Sequence, residues 1–172
     1  MIIKMILLTS LFLLSIYAQE FKVASYNVEN LFDLKYDGTE YSEYIPHQNS
    51  KWNQKTYSIK LKNISKVINE LNSDILALQE IESQKALTDL LKYTPAYKYS
   101  FFLKNKKSAI GLAVISKYPI IDTKSIKIKS NSPFVRPLQV VTIKVKNQVI
   151  TLFNNHWPSK RAAENKRIEY AL

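Results

Sequence analysis

The sequence predicts a layered domain of the α/β (α+β) kind. Three observations carry this expectation. A long stretch has helical apolar spacing, a short and nearly unbroken apolar run follows it, and strand after strand succeeds from Tyr97 onward. At 172 residues the chain is one domain by length and long enough to bury a core. Residues 21–27 read as the first strand, with Phe21 and Val23 on one face and Ala24 and Tyr26 on the other. Residues 34–55 are polar, aromatic and irregular, and predict a long loop. A helix is expected over 55–71, because Ile59, Leu61, Ile64, Val67, Ile68 and Leu71 recur at three- and four-residue steps. Ser73-Asp74 breaks it, and Ile75-Leu76-Ala77-Leu78-Gln79-Glu80 reads as a buried strand. A short helix is expected over 84–91, then strands over 97–103, 110–116, 120–129, 135–146 and 148–155. Lys146-Asn147-Gln148 has the composition of a hairpin turn. A last helix is expected to start at Ser159.

Composition excludes several classes. With no cysteine, neither a disulfide scaffold nor a zinc–cysteine site can be written. Two glycines, Gly38 and Gly111, cannot form a dinucleotide fingerprint or a P-loop. A hydrophobic share of 46% is too high for a disordered chain. The net charge of +11 favours anionic partners such as nucleic acid, phospholipid headgroups or a phosphorylated substrate. Lysine dominates that charge, since arginine occurs only at Arg136, Arg161 and Arg167, and Lys- and Asn-rich coding gives the same excess without a function.

Residues 1–18 read as a secretory signal: one lysine, the apolar run 5–16, then Tyr17-Ala18 before polar Gln19-Glu20. Cleavage is expected after Ala18, leaving a domain over 19–172 delivered to the periplasm or the outside. The run is shorter than the roughly 20 residues a membrane span needs.

Three residues look chemically costly where they stand. Asn27, Glu80 and His156 are each expected at the C-terminal end of a strand, where sites in α/β sheets commonly gather. A carboxylate at the edge of a buried strand needs a compensating charge or metal. An Asn carbonyl and a Glu carboxylate are hard oxygen ligands suited to Mg²⁺. A histidine opposite them would donate to a phosphoryl oxygen. Each also has an ordinary reading: a turn for Asn27, a solvated charge or helix cap for Glu80, and a histidine packed by Trp157 and Pro158. Spacing alone does not join them, so the residues by themselves give a candidate oxygen-ligand metal site.

The segments around these positions are more specific as an ordered set. They are Tyr26-Asn27-Val28-Glu29-Asn30-Leu31-Phe32-Asp33, Trp52 with Tyr57, Lys60-Leu61 and Asn63-Ile64, Asp74 to Glu82, Arg136, and Asn155-His156-Trp157-Pro158-Ser159-Lys160-Arg161. In this order the chain resembles the endonuclease/exonuclease/phosphatase superfamily, in a secreted bacterial branch. The resemblance implies a four-layer αββα sandwich with a site at one rim, incomplete here at its C-terminus. It makes Glu80 the principal Mg²⁺ ligand (Mn²⁺ or Ca²⁺ being alternatives), with Asn27 beside it at the metal and phosphate. It places His156 at the scissile phosphate and gives substrate-holding roles to Arg136, Asn155 and Arg161. The implied reaction is metal-dependent hydrolysis of a phosphodiester or phosphomonoester by water, on nucleic acid or another phosphoester. The family pattern continues with an Asp-x-Asn motif and an Asp-His pair that do not occur after His156 here. The expectation is therefore the N-terminal part of a nuclease-like hydrolase that lacks full activity alone. The alternatives are a lipid or small-molecule phosphoesterase of the same family, or a non-catalytic basic nucleic-acid-binding remnant. Half a sandwich is also expected to bare an apolar sheet face.

Overall fold

The computed structural model describes residues 20–46, 50–128 and 136–158. The leader over 1–18, the helix expected from Ser159 and Arg161 lie outside them. In chain order the elements are β1 (Val23–Leu31), a 3₁₀ turn (Ser42–Tyr44), α1 (Gln54–Leu71), β2 (Ile75–Ile81) and α2 (Gln84–Leu91). Then come β3 (Tyr99–Leu103), β4 (Gly111–Ser116), β5 (Ile120–Ile126), β6 (Leu138–Val145) and β7 (Gln148–Asn154). The first sheet has the order β1-β2-β4-β3, and the second the order β5-β6-β7. Among the described residues only β1 and β2 pair in parallel, and α1 lies in the crossover between them, as a parallel pair requires.

Helix α1 starts where its cap is. The Asn53 side chain accepts from the N–H groups of Lys55 and Thr56, while Thr56 Oγ1 accepts from Asn53 N–H at 2.9 Å. This reciprocal box satisfies donors that a helix start leaves open. Asn72 ends the helix at φ 44°, a left-handed cap. The buried stripe is Tyr57, Leu61, Ile64 and Ile68, at steps of four, three and four. This corrects the expected stripe in part. Ile59, Val67 and Leu71 are 48%, 36% and 41% exposed, because they fall away from the Tyr57–Ile68 line.

Strand β2 is buried on both sides, which explains its unbroken apolar run. Leu76 and Leu78 join the helix-side core with Leu61, Ile64 and Ile68. Ile75 turns to a second core with Val114, Val141, Ile143 and Val145. The second sheet therefore covers the inner face of the first at β2 and β4, while Val23 on the edge strand β1 stays 47% exposed beside an open cleft. The expected bare apolar face is thus confined to part of the sandwich, since β5, β6 and β7 already pack on the middle of the first sheet. Three layers are described, helices, sheet and sheet. On the outer side of the second sheet Val149 and Phe153 remain 62% and 59% exposed.

The β6–β7 turn forms where expected, with Lys146 at φ 54° and Val145 paired to Gln148. Between β1 and α1 the long loop is tied down by aromatic contacts. Phe32 stacks on Tyr44, Tyr44 meets Trp52 edge-on, and Trp52 meets Tyr57. The Trp52 indole N–H also donates to Asp33 O at 3.0 Å.

Gly111 opens β4 because nothing larger fits. A Cβ there would lie 2.5 Å from Leu103 O and 2.8 Å from Lys104 Cβ. Gly111→Ala is therefore expected to lower stability by about 1–3 kcal/mol in a denaturant melt. An unchanged midpoint would show that the β3–β4 turn yields freely.

Candidate active site

The site begins with two irregularities at the same level of the first sheet. Pairing of β1 with β2 runs regularly to Asn27↔Gln79 and resumes only at Leu31↔Ile81. Pairing of β2 with β4 skips Glu80 in the same way. Three residues absorb the change in positive-φ backbone: Glu29 at 53°, Asn30 at 65° and Glu80 at 69°. None is glycine, so each holds conformational strain of about 1–3 kcal/mol, a cost that gathers at functional sites. Lys60 of α1 steadies the β1 bulge, its Nζ donating to Glu29 O at 2.9 Å. Asn27 and Glu80 thus sit at bulges near the strand ends rather than at the last residues, because both strands resume pairing beyond them.

The bulges bring side chains together. Asn27 Nδ2 donates to Glu80 Oε1 at 2.9 Å, while Asn27 Oδ1 accepts Glu29 N–H at 2.9 Å. His156, two residues past the end of β7, places Nε2 3.3 Å from the same Glu80 oxygen. The two side chains are 16% and 18% exposed, enough to be reached and too little to be freely hydrated. Arg136 donates from Nη1 to His156 O at 3.3 Å. Asn155 is exposed and borders a cleft of about 310 Å³ shared by β1 and β7. Of the expected residues, Asn27, Glu80, His156 and Arg136 converge, Asn155 lies at the margin, and Arg161 is outside the described residues.

The surroundings of His156 disfavour its protonation. Burial lowers its pKa first, the Arg136 charge lowers it further, and Glu80 pulls the other way. The ring meets Glu80 through Nε2, and its other nitrogen is Nδ1. That atom is buried with no hydrogen-bond partner among the described residues. The folded chain consequently binds fewer protons at this ring than the unfolded chain does. Stability from this group is present above the ordinary value of 6.5 and is lost as pH falls through the lower folded value. His156→Gln is expected to flatten that part of a stability-against-pH curve. An unchanged slope below pH 6.5 would refute the assignment.

Several contributing residues lay outside the sequence reading. Gln79 and Asn154 are buried amides in strands whose neighbours are apolar, and that mismatch was the available signal. A second acidic group, Asp37, Glu40 and Glu82, brings its oxygens within 4.8 Å of one another. Its carboxylates are already engaged. Glu40 accepts N–H bonds from Gly38 and Thr39, and Glu82 pairs with Lys104 at 3.3 Å. Another cleft, about 650 Å³, lies elsewhere: residues of α1 and α2 line it, and Asn27, Glu80 and His156 do not. There Asp89 is held by Lys85, Lys92 and the Tyr57 hydroxyl, and burial pushes the Tyr57 phenol well above its usual range.

A two-sheet sandwich with helices on one face gathers an amide, a carboxylate and an imidazole at one rim. The chain belongs to the endonuclease/exonuclease/phosphatase family, which it matches over residues 22–169. It is similar to the crystal structure of TDP2 from Caenorhabditis elegans, with 25% identity and a TM-score of 0.51, over 63% of this chain and 33% of that one. A family protein from Bacteroides thetaiotaomicron shares the fold at 17% identity and a TM-score of 0.59, over 88% of this chain and 55% of that one. TDP2 from D. rerio, complexed with a single-strand DNA product, shares it at 14% identity and a TM-score of 0.54, over 64% and 44%. The chain thus spans between 33% and 55% of the length of these structures. No curated protein sequence matches it significantly.

Proposed function

We propose that the chain carries the metal-and-phosphate half of a secreted phosphodiester hydrolase that acts on nucleic acid. The carrying observation is the convergence of Asn27 from β1, Glu80 from β2 and His156 from just past β7, at 2.9 and 3.3 Å. The Asn27 amide donates to Glu80, and the His156 ring that faces it at 3.3 Å has a lowered pKa, so this set leaves the carboxylate's charge uncancelled. That donor set fits a hard divalent cation, Mg²⁺ with Mn²⁺ or Ca²⁺ as alternatives. Glu80 would hold the ion and Asn27 would orient the carboxylate, its own carbonyl being turned to Glu29. When bound, such an ion neutralises charge on phosphoryl oxygens and acidifies water. His156 donates its Nε2–H to a phosphoryl oxygen as negative charge grows there. Arg136 stands behind His156, and with Asn155 and Arg161 it supplies contacts to the substrate.

The net charge of +11 favours a polyanion over a small ester. The D. rerio relative in complex with single-strand DNA points the same way. Binding is the direct test, because the chain spans only part of its relatives' length. Calorimetric titration is expected to show Mg²⁺ binding that Glu80→Gln removes, and salt-sensitive binding of a single-stranded oligonucleotide. The 172-residue chain alone is expected to show no EDTA-sensitive cleavage of that oligonucleotide. Binding of sphingomyelin vesicles with indifference to DNA would move the substrate to lipids. Oligonucleotide binding untouched by Glu80→Gln and His156→Ala, with no Mg²⁺ site, would leave a basic binding module.

A further inference from the structure

We propose that a buried amide network between the two sheets sets the spacing of the Glu80–His156 pair, and that Gln79 and Asn154 are its positioning residues. The proposal rests on the site described above but is tested on the pair itself.

The two sheets meet through Ile75, Val114, Val141, Ile143 and Val145. Apolar contact is non-directional and scales with area. It holds the sheets together without choosing one offset between them. The amides do choose. Asn154 is 3% exposed, and its Nδ2 donates to Gln139 Oε1 at 2.9 Å, Ala113 O at 3.1 Å and Leu78 O at 3.3 Å. Its Oδ1 accepts from Gln79 Nε2 at 2.8 Å. Gln79 Nε2 also reaches Ser25 Oγ at 3.1 Å, which ties in β1. Gln139, fully buried, donates to Phe101 O at 3.0 Å.

Sliding one sheet by a single residue, about 3.3 Å, would break the bonds that cross between the sheets, from Asn154 to Gln79, Leu78 and Ala113 and from Gln139 to Phe101. The network has two ends that matter. Gln79 immediately precedes Glu80, and Asn154 stands two residues before His156. Its bond therefore joins the two backbones just before they deliver the reactive side chains. With so few residues beyond the bond, little slack remains between the carboxylate and the imidazole.

The test uses the full chain with ¹⁵N-labelled histidine. There are two histidines, so the His156 Nε2 signal is assigned by its loss in His156→Gln. In the parent chain, Glu80→Gln is expected to shift that signal. In Asn154→Leu and in Gln79→Met the Glu80-dependent shift is expected to collapse, with Mg²⁺ affinity falling about 10–100-fold. Ile143→Val weakens the same inter-sheet core without touching an amide, and is expected to lower the melting temperature while leaving the shift intact.

Folded Asn154→Leu or Gln79→Met chains that keep the full shift, with Mg²⁺ affinity within about twofold, would overturn the proposal. So would an equal loss of the shift in Ile143→Val, or unfolding of both amide variants, since the network would then be general core. A parent chain that shows the shift but binds no Mg²⁺ would sink the metal reading and leave this one standing.

Discussion

Replacing Glu80 with glycine is expected to weaken Mg²⁺ binding by about 100-fold or more and to change folding stability by less than about 1 kcal/mol. The two halves of that result have separate causes. Glu80 is the anionic oxygen at the rim, with its carboxylate held by Asn27 and faced by His156. Removing it leaves those two groups without the charge that draws a cation. Stability responds differently because Glu80 holds φ at 69° inside a bulge. Glycine takes that conformation at no steric cost, which offsets the lost hydrogen bonds and the greater entropy of a glycine in the unfolded chain. Glu80→Gln separates the two effects, keeping the strain and the size while removing the charge. Calorimetric Mg²⁺ titration beside thermal melts reads both. Retained Mg²⁺ binding in Glu80→Gly would show that the metal sits elsewhere. A stability loss well beyond 1 kcal/mol would show that the bulge is not strained (about 1–3 kcal/mol is the strain expected).

Phe32→Ala is expected to cost about 3–5 kcal/mol of stability. Phe32 is fully buried, stacks on Tyr44 with centroids 4.5 Å apart, and meets Tyr41 at 5.5 Å. It is the first link in the aromatic chain that runs through Tyr44 and Trp52 to Tyr57 on α1. Aromatic pairs add about 0.5–1.5 kcal/mol beyond the area they bury, so truncating this ring loses packing on two sides. A domain of this size has about 5–15 kcal/mol in total, and the loss is a large share of it. Denaturant melts followed by tryptophan fluorescence should show an earlier transition, since Trp52 lies in the same cluster. Tyr36, 57% exposed, is the comparison: Tyr36→Ala is expected to stay within about 0.5 kcal/mol. Similar midpoints for the two variants would mean the loop is not anchored by its aromatic chain.

Much of the fold was legible because local patterns carry it. The run from Ile75 to Leu78, the Lys146 turn and the strands after Tyr97 all formed near their expected places. What failed locally failed for identifiable reasons. The buried stripe of α1 is narrower than the apolar spacing predicts, because Ile59 and Val67 satisfy three-residue steps without facing the core. First-strand expectations stopped at Asn27, because Glu29 and Asn30 take left-handed backbone that would ordinarily announce itself with glycine. The site residues were visible singly, each with an ordinary alternative. Their meeting was not, because a 53-residue step from Asn27 to Glu80 has no periodicity to read. The packing of the second sheet on the middle of the first was also hidden, since nothing in a strand's composition says which sheet it joins.

The free edges of this fold have a consequence for how the chain behaves in bulk. Among the described residues β1 and β7 each pair on one side only, and both border the same cleft. Unpaired strand edges are templates for intermolecular pairing. At low ionic strength the charge of +11 keeps neighbouring molecules apart. Added salt shortens the reach of that repulsion to about 10 Å at 0.1 M, while leaving backbone hydrogen bonding untouched. The colloidal stability of a concentrated solution should therefore fall as salt is raised, the reverse of salting-in, with β-rich aggregates as the product.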